Sequence, residues 1–333
     1  MSVYRDAQLM ISAPQSDYVT PATLDRWLPY VGNPSLDLAP NDQESETILA
    51  GAVALDEQSY RPTEAAAGSI ELEWKAKLMG RLLKWALGSA TSTLVSAGLY
   101  QQLGTLGAGP FFDALTIQLV RKLWDGTDDV HTYLGCVCSS IEWKMDAQGV
   151  LKVTIEIDGR TMSTVIAKGS PSVTYPGRFT FGGFSVQTGT FTAPTATVLA
   201  SGATALSAIR SWSIKVDNQL VTDDYRADGS GLKSQPPVLQ RKITGSMEAD
   251  NTAAIAALRA TWRSNGGIPL VFNFLSGATD QVQFAAPYCR LTSAPTPNAD
   301  GAQPTVTLPF EVRKAAAYAQ PLWVVQRTAD NAL

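Results

Sequence analysis

The chain has 333 residues, of which 17% are charged, with a formal net charge of −4, three cysteines and one histidine. That length suits two units of ordinary domain size, each able to bury its own core. The mildly acidic balance excludes a global basic field that would grip nucleic acid, and three cysteines do not make the disulfide framework of a small secreted protein.

The start, MSVYRDAQLM, lacks the basic end and apolar run of a signal peptide. No uncharged apolar stretch reaches the ~20 residues that span a bilayer, so a soluble product of a reducing compartment is expected. Residues 1–33 carry Pro14, Pro21 and Pro29, with Pro34 just beyond, and predict an irregular arm. Alternation is loose from Ser35 to Ala54, and Asp56 to Gly68, with Arg61-Pro62 and three alanines, predicts an extended loop. Ile70 to Trp74 alternates as a strand does. Lys75 to Leu87 predicts an amphipathic helix with Leu78, Leu82 and Trp85 on one face, Lys77, Arg81 and Lys84 largely off it, and Gly88 as its stop. Leu94 to Gly109 is glycine-rich and predicts irregular chain. Strands are expected at 115–121, 130–145 and 151–158.

Residues 160–204 are rich in Thr, Ser, Gly, Ala and Pro and predict a linker or insertion with one β stretch, Arg178 to Phe191. A second unit opens near Ala208, where Trp212, Ile214 and Val216 alternate with polar neighbours. Asp223 to Pro237 repeats the loop character of 56–67. Asn251 or Thr252 can cap a helix running to about Arg263 that Gly266-Gly267 end. The expected division is an arm at 1–33, units at 34–159 and 205–314 separated by the 160–204 linker, and a tail at 315–333. The expected fold class is mainly β: sandwich or barrel units, each with one flanking helix.

The two units share a pattern. Gly68-Ser69-Ile70-Glu71 and Gly245-Ser246-Met247-Glu248 each lead into an apolar helical stretch, which carries Trp85 in one case and Trp262 in the other. Leu115 to Val120 and Leu270 to Phe274 follow as strands, then strands through Cys136 and Cys289, turns at Asp146–Gly149 and Asp300-Gly301, and closing strands at Val153–Ile157 and Val306–Val312. A fold unit used twice in one chain suits a part that arrays. Trp85, Trp262, Cys136 and Cys289 are the expected core anchors.

No group of residues assembles into a catalytic or cofactor site. Cys136 and Cys138 point to one face of a strand, but a zinc site needs about four N or S ligands, and only Cys289 and His131 remain as others. His131, with Asp128 and Asp129 nearby, reads as a surface or packing residue in preference to a catalytic base. Gly104 to Gly109 has neither a Walker lysine nor the frame of a dinucleotide site. The expectation is a non-enzyme with no cofactor and no metal.

The segments Gly68 to Glu73, Leu82 to Gly88, Tyr133 to Ser140 and Leu151 to Gly159, with Lys242 to Glu248 and Gln303 to Arg313 in the second unit, resemble the tail tube (major tail) proteins of long-tailed, non-contractile bacteriophages. Tyr18-Val19-Thr20-Pro21-Ala22-Thr23 sits where such proteins carry a short start motif. The 94–109 insertion, the 160–204 connection and the tight helix-to-strand joint of unit two depart from that pattern. The resemblance implies a virion protein forming stacked rings whose inner sheets join into one barrel, with about four strands per unit and about six units per ring. Such a barrel would be roughly 48 Å across at the backbone, leaving a lumen of about 35–40 Å for duplex DNA.

Two units per chain then predict a trimeric ring with pseudo-six-fold symmetry, a hexamer being the alternative. Implied partners are further copies of the chain and the tape measure, tail terminator and tail tip proteins. DNA passes through without specific binding, no membrane is involved, and assembly takes place in the bacterial host cytoplasm. The loops 54–67 and 223–237 are the expected contacts between rings, through Asp56, Tyr60, Arg61 and Glu64 on one and Asp224, Tyr225, Arg226 and Lys233 on the other. The rival readings are another head–tail component such as a terminator or decoration protein, a carbohydrate-binding β-sandwich, and a hydrolase using His131.

Overall fold

The computed structural model describes residues 7–45, 59–172, 174–297 and 304–333. In chain order the elements are β1 (Gln8–Pro14), β2 (Leu24–Leu28), β3 (Tyr30–Val31), β4 (Asp37–Glu44), β5 (Ser59–Glu73), α1 (Gly80–Leu87), β6 (Gly88–Ser96), β7 (Leu99–Leu106), β8 (Leu115–Lys122), β9 (Asp128–Met145), β10 (Lys152–Gly159) and β11 (Thr161–Ser163). After a 3₁₀ turn come β12 (Phe184–Thr192), β13 (Ser201–Ala205), β14 (Ile209–Asp217), β15 (Lys242–Asp250), α2 (Ala253–Arg263), β16 (Ile268–Ser276), β17 (Asp280–Leu291), β18 (Thr305–Val312) and β19 (Trp323–Thr328). The protein is mainly β, and its strand pairings are antiparallel throughout.

One layer is a run in the order β4-β5-β10-β9-β14-β15-β18-β17. Strict alternation along these strands makes one face apolar. Ile70, Leu72, Val153, Ile155, Ile141, Trp143, Trp212, Ile214, Met247 and Leu308 are all buried on it. The second layer covers that face in two parts, β2-β1-β8-β9 with β11, and β13-β12-β16-β17-β19-β7-β6. β9 and β17 serve both layers, each bending at a register shift. On β9, Leu115 faces Cys136 while Ile117 faces Tyr133; on β17, Ile268 faces Cys289 while Leu270 faces Ala286. The bend in β9 falls at Gly135, whose φ of 63° is left-handed and where a Cβ would lie 2.8 Å from Tyr18 O.

The two strand sets match in register as well as order. Gly68, Ile70 and Leu72 face Ile157, Ile155 and Val153; Gly245, Met247 and Ala249 face Phe310, Leu308 and Val306. Leu9 pairs with Leu28 on one side and Leu119 on the other, while Val186 faces Phe272 and accepts the Leu206 N–H.

Several sequence expectations are corrected. The supposed irregular arm contributes β1, β2 and β3, and the supposed linker contributes β12 and β13. Pro14 ends β1, and Pro29 separates β2 from β3. Residues 59–67 are strand, hydrogen-bonded to β4, and 88–106 form the β6–β7 hairpin, whose Gly104 fits against Leu87. That hairpin has no partner between α2 and β16. The tail is β19, inserted between β17 and β7. Arg81, expected off the apolar face, is buried and paired with Asp25.

The helices differ in depth. In α1 every residue except Lys84 is buried, and Gly88 closes it at φ 81° with its N–H on Lys84 O. In α2, capped by Thr252 Oγ1 accepting from Ile255 N–H at 3.4 Å, only Ile255 is buried. Trp85 is 2% exposed and donates Nε1–H to Cys136 O at 3.1 Å, whereas Trp262 is 36% exposed. Trp262 is therefore not a core anchor: α2 buries only Ile255, with Leu258 partly buried against the core and Arg259 Nε donating to Pro295 O at 3.0 Å, and its last turn stands at the surface.

Candidate assembly surface

The second face of the eight-strand run is polar. Ser69, Glu71, Glu142, Lys144, Lys152, Thr154, Glu156, Lys215, Thr244, Ser246, Glu248, Thr307 and Glu311 alternate with the core positions. Three of its lysines are matched by carboxylates: Lys152 lies 2.9 Å from Glu71, Lys215 3.4 Å from Glu156 and Lys144 3.4 Å from Asp146. Ser140 Oγ donates to Glu156 at 2.7 Å, and this bond holds the Glu156 carboxyl below its ordinary range. The result is a broad wall of mixed charge.

The segments expected to make contacts lie at one end of this run. Asp56 falls outside the described residues. Tyr60 is half exposed and donates to Gln43 Oε1 at 3.1 Å. Arg61 grips Asp42 with two bonds, at 2.6 and 3.2 Å. Glu64 turns inward, accepting from Thr161 Oγ1 at 2.7 Å while its backbone bridges Leu232. The two candidate segments thus touch each other, a juxtaposition the sequence did not announce.

Residues 218–241, between β14 and β15, are a docked segment on the first half of the chain. Asn218 Nδ2 donates to Ala86 O at 3.0 Å and Cys138 O at 2.9 Å. Gln235 Nε2 donates to Phe112 O at 2.7 Å. Arg241 donates to Leu87 O and Gly107 O, with its guanidinium 4.5 Å from the centre of the Phe112 ring. Leu220 and Val238 pack against a cluster of Tyr18, Phe112, Ala114 and Val137. Asp224 and Arg226 pair at 3.0 Å on the outer side, and Tyr225 bridges Lys233. Lys233, expected to be a contact residue, is buried with Nζ 2.5 Å from Asp158 Oδ1. Burial pushes the Asp158 carboxyl up and the Lys233 ammonium pulls it back.

Asp158, Asn218, Gln235 and Arg241 escaped sequence reading. In sequence each is one more polar residue beside a strand end or in a loop, and only long-range contact gives it work.

Cys136, Cys138 and Cys289 are all buried free thiols, and burial raises each thiol above its ordinary range. His131 lies 2.9 Å from Asp129 on the outer part of β9. A shallow groove of about 550 Å³ at the far end of the run is lined by Trp262, Arg263, Arg290, Leu291, Glu311 and Arg313 among others.

Fold and surfaces together define a strand-rich protein whose polar groups work at sheet edges and docked segments. A family model described as phage tail tube protein matches residues 5–313. The chain belongs to that family and is a structural component of the phage virion. A comparison with curated proteins found no match. No helix among the described residues is long and apolar enough to cross a membrane.

Proposed function

We propose that the chain carries the tube fold twice and that three copies close into one ring of a tail tube. The ladder between β9 and β14 carries this reading. Met145 faces Trp212 and Ser140 faces Asp217, so the last strand of one four-strand set hydrogen-bonds to the first strand of the next. Repeated between chains, the same junction continues the sheet. About twenty-four strands tilted by ~40° then form a barrel about 48 Å across.

The polar face becomes the inner wall. Lys144, Lys152 and Lys215 on it are engaged by carboxylates, which favours passage of DNA over retention, since phosphate binding needs available cations. We assign the chain no catalysis, cofactor or metal. Its partners would be other copies, stacked as rings, and the tape measure, terminator and tip proteins. Assembly would take place in the host cytoplasm, before DNA passes through the lumen on ejection.

Electron microscopy of concentrated protein, with mass measurement of a single ring, tests this. Long tubes with three chains per ring are expected. Six chains per ring would overturn the trimer, and isolated rings that never stack would move the protein to the tail terminus.

A further inference from the structure

We propose that the groove beside Trp262 receives the β4–β5 arm of the next copy around the ring, with Asp42 of that arm facing Arg290. The proposal rests on the ring reading above and deepens it by naming the contact that closes the ring.

The template for this contact lies within the chain. Gly68 and Gly245 begin the same Gly-Ser-x-Glu pattern, and Ala66 and Ile243, two residues before, face Leu38 and Val216. Continuing outward by the same steps, Leu220 bridges Val238 where Asp42 pairs with Arg61. The two hairpins therefore hold an apolar pair and an ionic pair at the same place.

Their seats match too. Asp158 faces Val137 in the β9·β10 ladder, and Glu311 faces Arg290 in the β17·β18 ladder. In the first half this seat is filled from within the chain: Leu220 and Val238 pack in the cluster with Val137, and Lys233 pairs with Asp158. In the second half the same place is the open groove of about 550 Å³. Glu311 there pairs with Arg313 at 2.6 Å, and neither Arg263 nor Arg290 has an ion-pair partner among the described residues.

The chemistry changes on both sides together. Where apolar Leu220 and Val238 meet apolar Val137, charged Asp42 and Arg61 would meet charged Arg290. The Asp42 side chain is 55% exposed even with Arg61 bonded to it, so an approaching guanidinium can reach it. The described arm carries Asp37, Asp42, Glu44 and Glu64 against Arg61, complementing Arg263, Arg290 and Arg313 in the groove. Strand continuity sets the position of the partner, and the opposite charges set which surface it accepts. A second copy of this chain has both the arm and the groove.

Two measurements on the full chain test the contact. Arg290→Asp should abolish rings and tubes in electron micrographs and sedimentation while leaving the melting transition of the monomer in place, since the side chain makes no ion pair within the chain. Asp42→Cys combined with Arg290→Cys should, on mild oxidation, give covalent dimers and trimers on a denaturing gel. Asp42→Cys alone should give none, because the natural cysteines are buried. Normal tubes from the Arg290→Asp chain, or tubes of the double-cysteine chain that yield no covalent ladder, would overturn the groove assignment and leave the tube reading standing. If the unaltered chain forms no ring at all, the ring reading fails and the groove assignment falls with it.

Discussion

Trp74 and Gln326 share a hydrogen bond of 3.1 Å from indole Nε1–H to amide Oε1, although they stand 252 positions apart in the chain. Both are buried, and Gln326 also donates Nε2–H to Lys75 O at 3.1 Å and Ala76 O at 2.9 Å. One amide on the last strand satisfies three polar groups where β5 turns toward α1. The C-terminal strand is therefore a structural closure of the first half, not an appendage.

Gln326→Leu keeps the volume and removes every one of those bonds, leaving an indole N–H and two carbonyls unpaired in the interior. The cost should be about 3 kcal/mol, within the range for buried groups stripped of partners. Chemical denaturation of the monomer checks it. A loss under about 0.5 kcal/mol would mean that water replaces the amide.

Asp158 and Lys233 form a buried pair, and removing one partner strands the other. Lys233→Met, which leaves the Asp158 carboxylate buried without its partner, should cost about 3–5 kcal/mol, while Asp158→Leu with Lys233→Met should come close to neutral. The pH sign follows from the raised Asp158 carboxyl. Between its ordinary and raised values the folded chain holds the proton that the unfolded chain has released. Stability from this group is thus greatest at acid pH and is lost as pH rises through the folded value. The double variant should lack that slope in melts recorded across the acid range.

Trp85 and Trp262 occupy similar places in sequence but should respond oppositely. Trp85→Ala removes a fully packed ring and its bond to Cys136 O, and should destabilise by about 3–5 kcal/mol. Trp262→Ala should leave monomer stability within about 0.5 kcal/mol, as surface replacements do. Equal losses in paired melts would show that α2 packs more deeply than its single buried residue indicates.

The three thiols offer a probe of folding. Burial disfavours the thiolate at Cys136, Cys138 and Cys289, so a thiol reagent should label none in the native chain and all three in denaturant. Rapid native labelling of any one would show local opening of β9 or β17.

Much of this protein was legible in its amino acids. Alternation located β8, β9, β10, β14, β16 and β18, because a strand with one buried face must alternate. The cap at Thr252, the stop at Gly88 and the placement of Cys136 and Cys289 followed from local chemistry. Less visible were the strands in segments rich in Thr, Ser, Gly and Pro. β6, β12 and β13 carry few large apolar residues, and their strand character comes from neighbours that supply the hydrogen bonds. The burial of Arg81 and Lys233 was hidden for a related reason: a cation reads as exposed until its carboxylate partner is known.

Composition and periodicity alone thus determined a mainly β chain, since both depend on residues close in sequence. Only the tertiary structure decided that β19 closes the first half, that 218–241 docks onto that half, and that Trp262 stands beside an arginine-lined groove. Those outcomes depend on pairings between residues far apart in sequence, where hydrogen-bond satisfaction and charge matching, rather than local propensity, choose the partner.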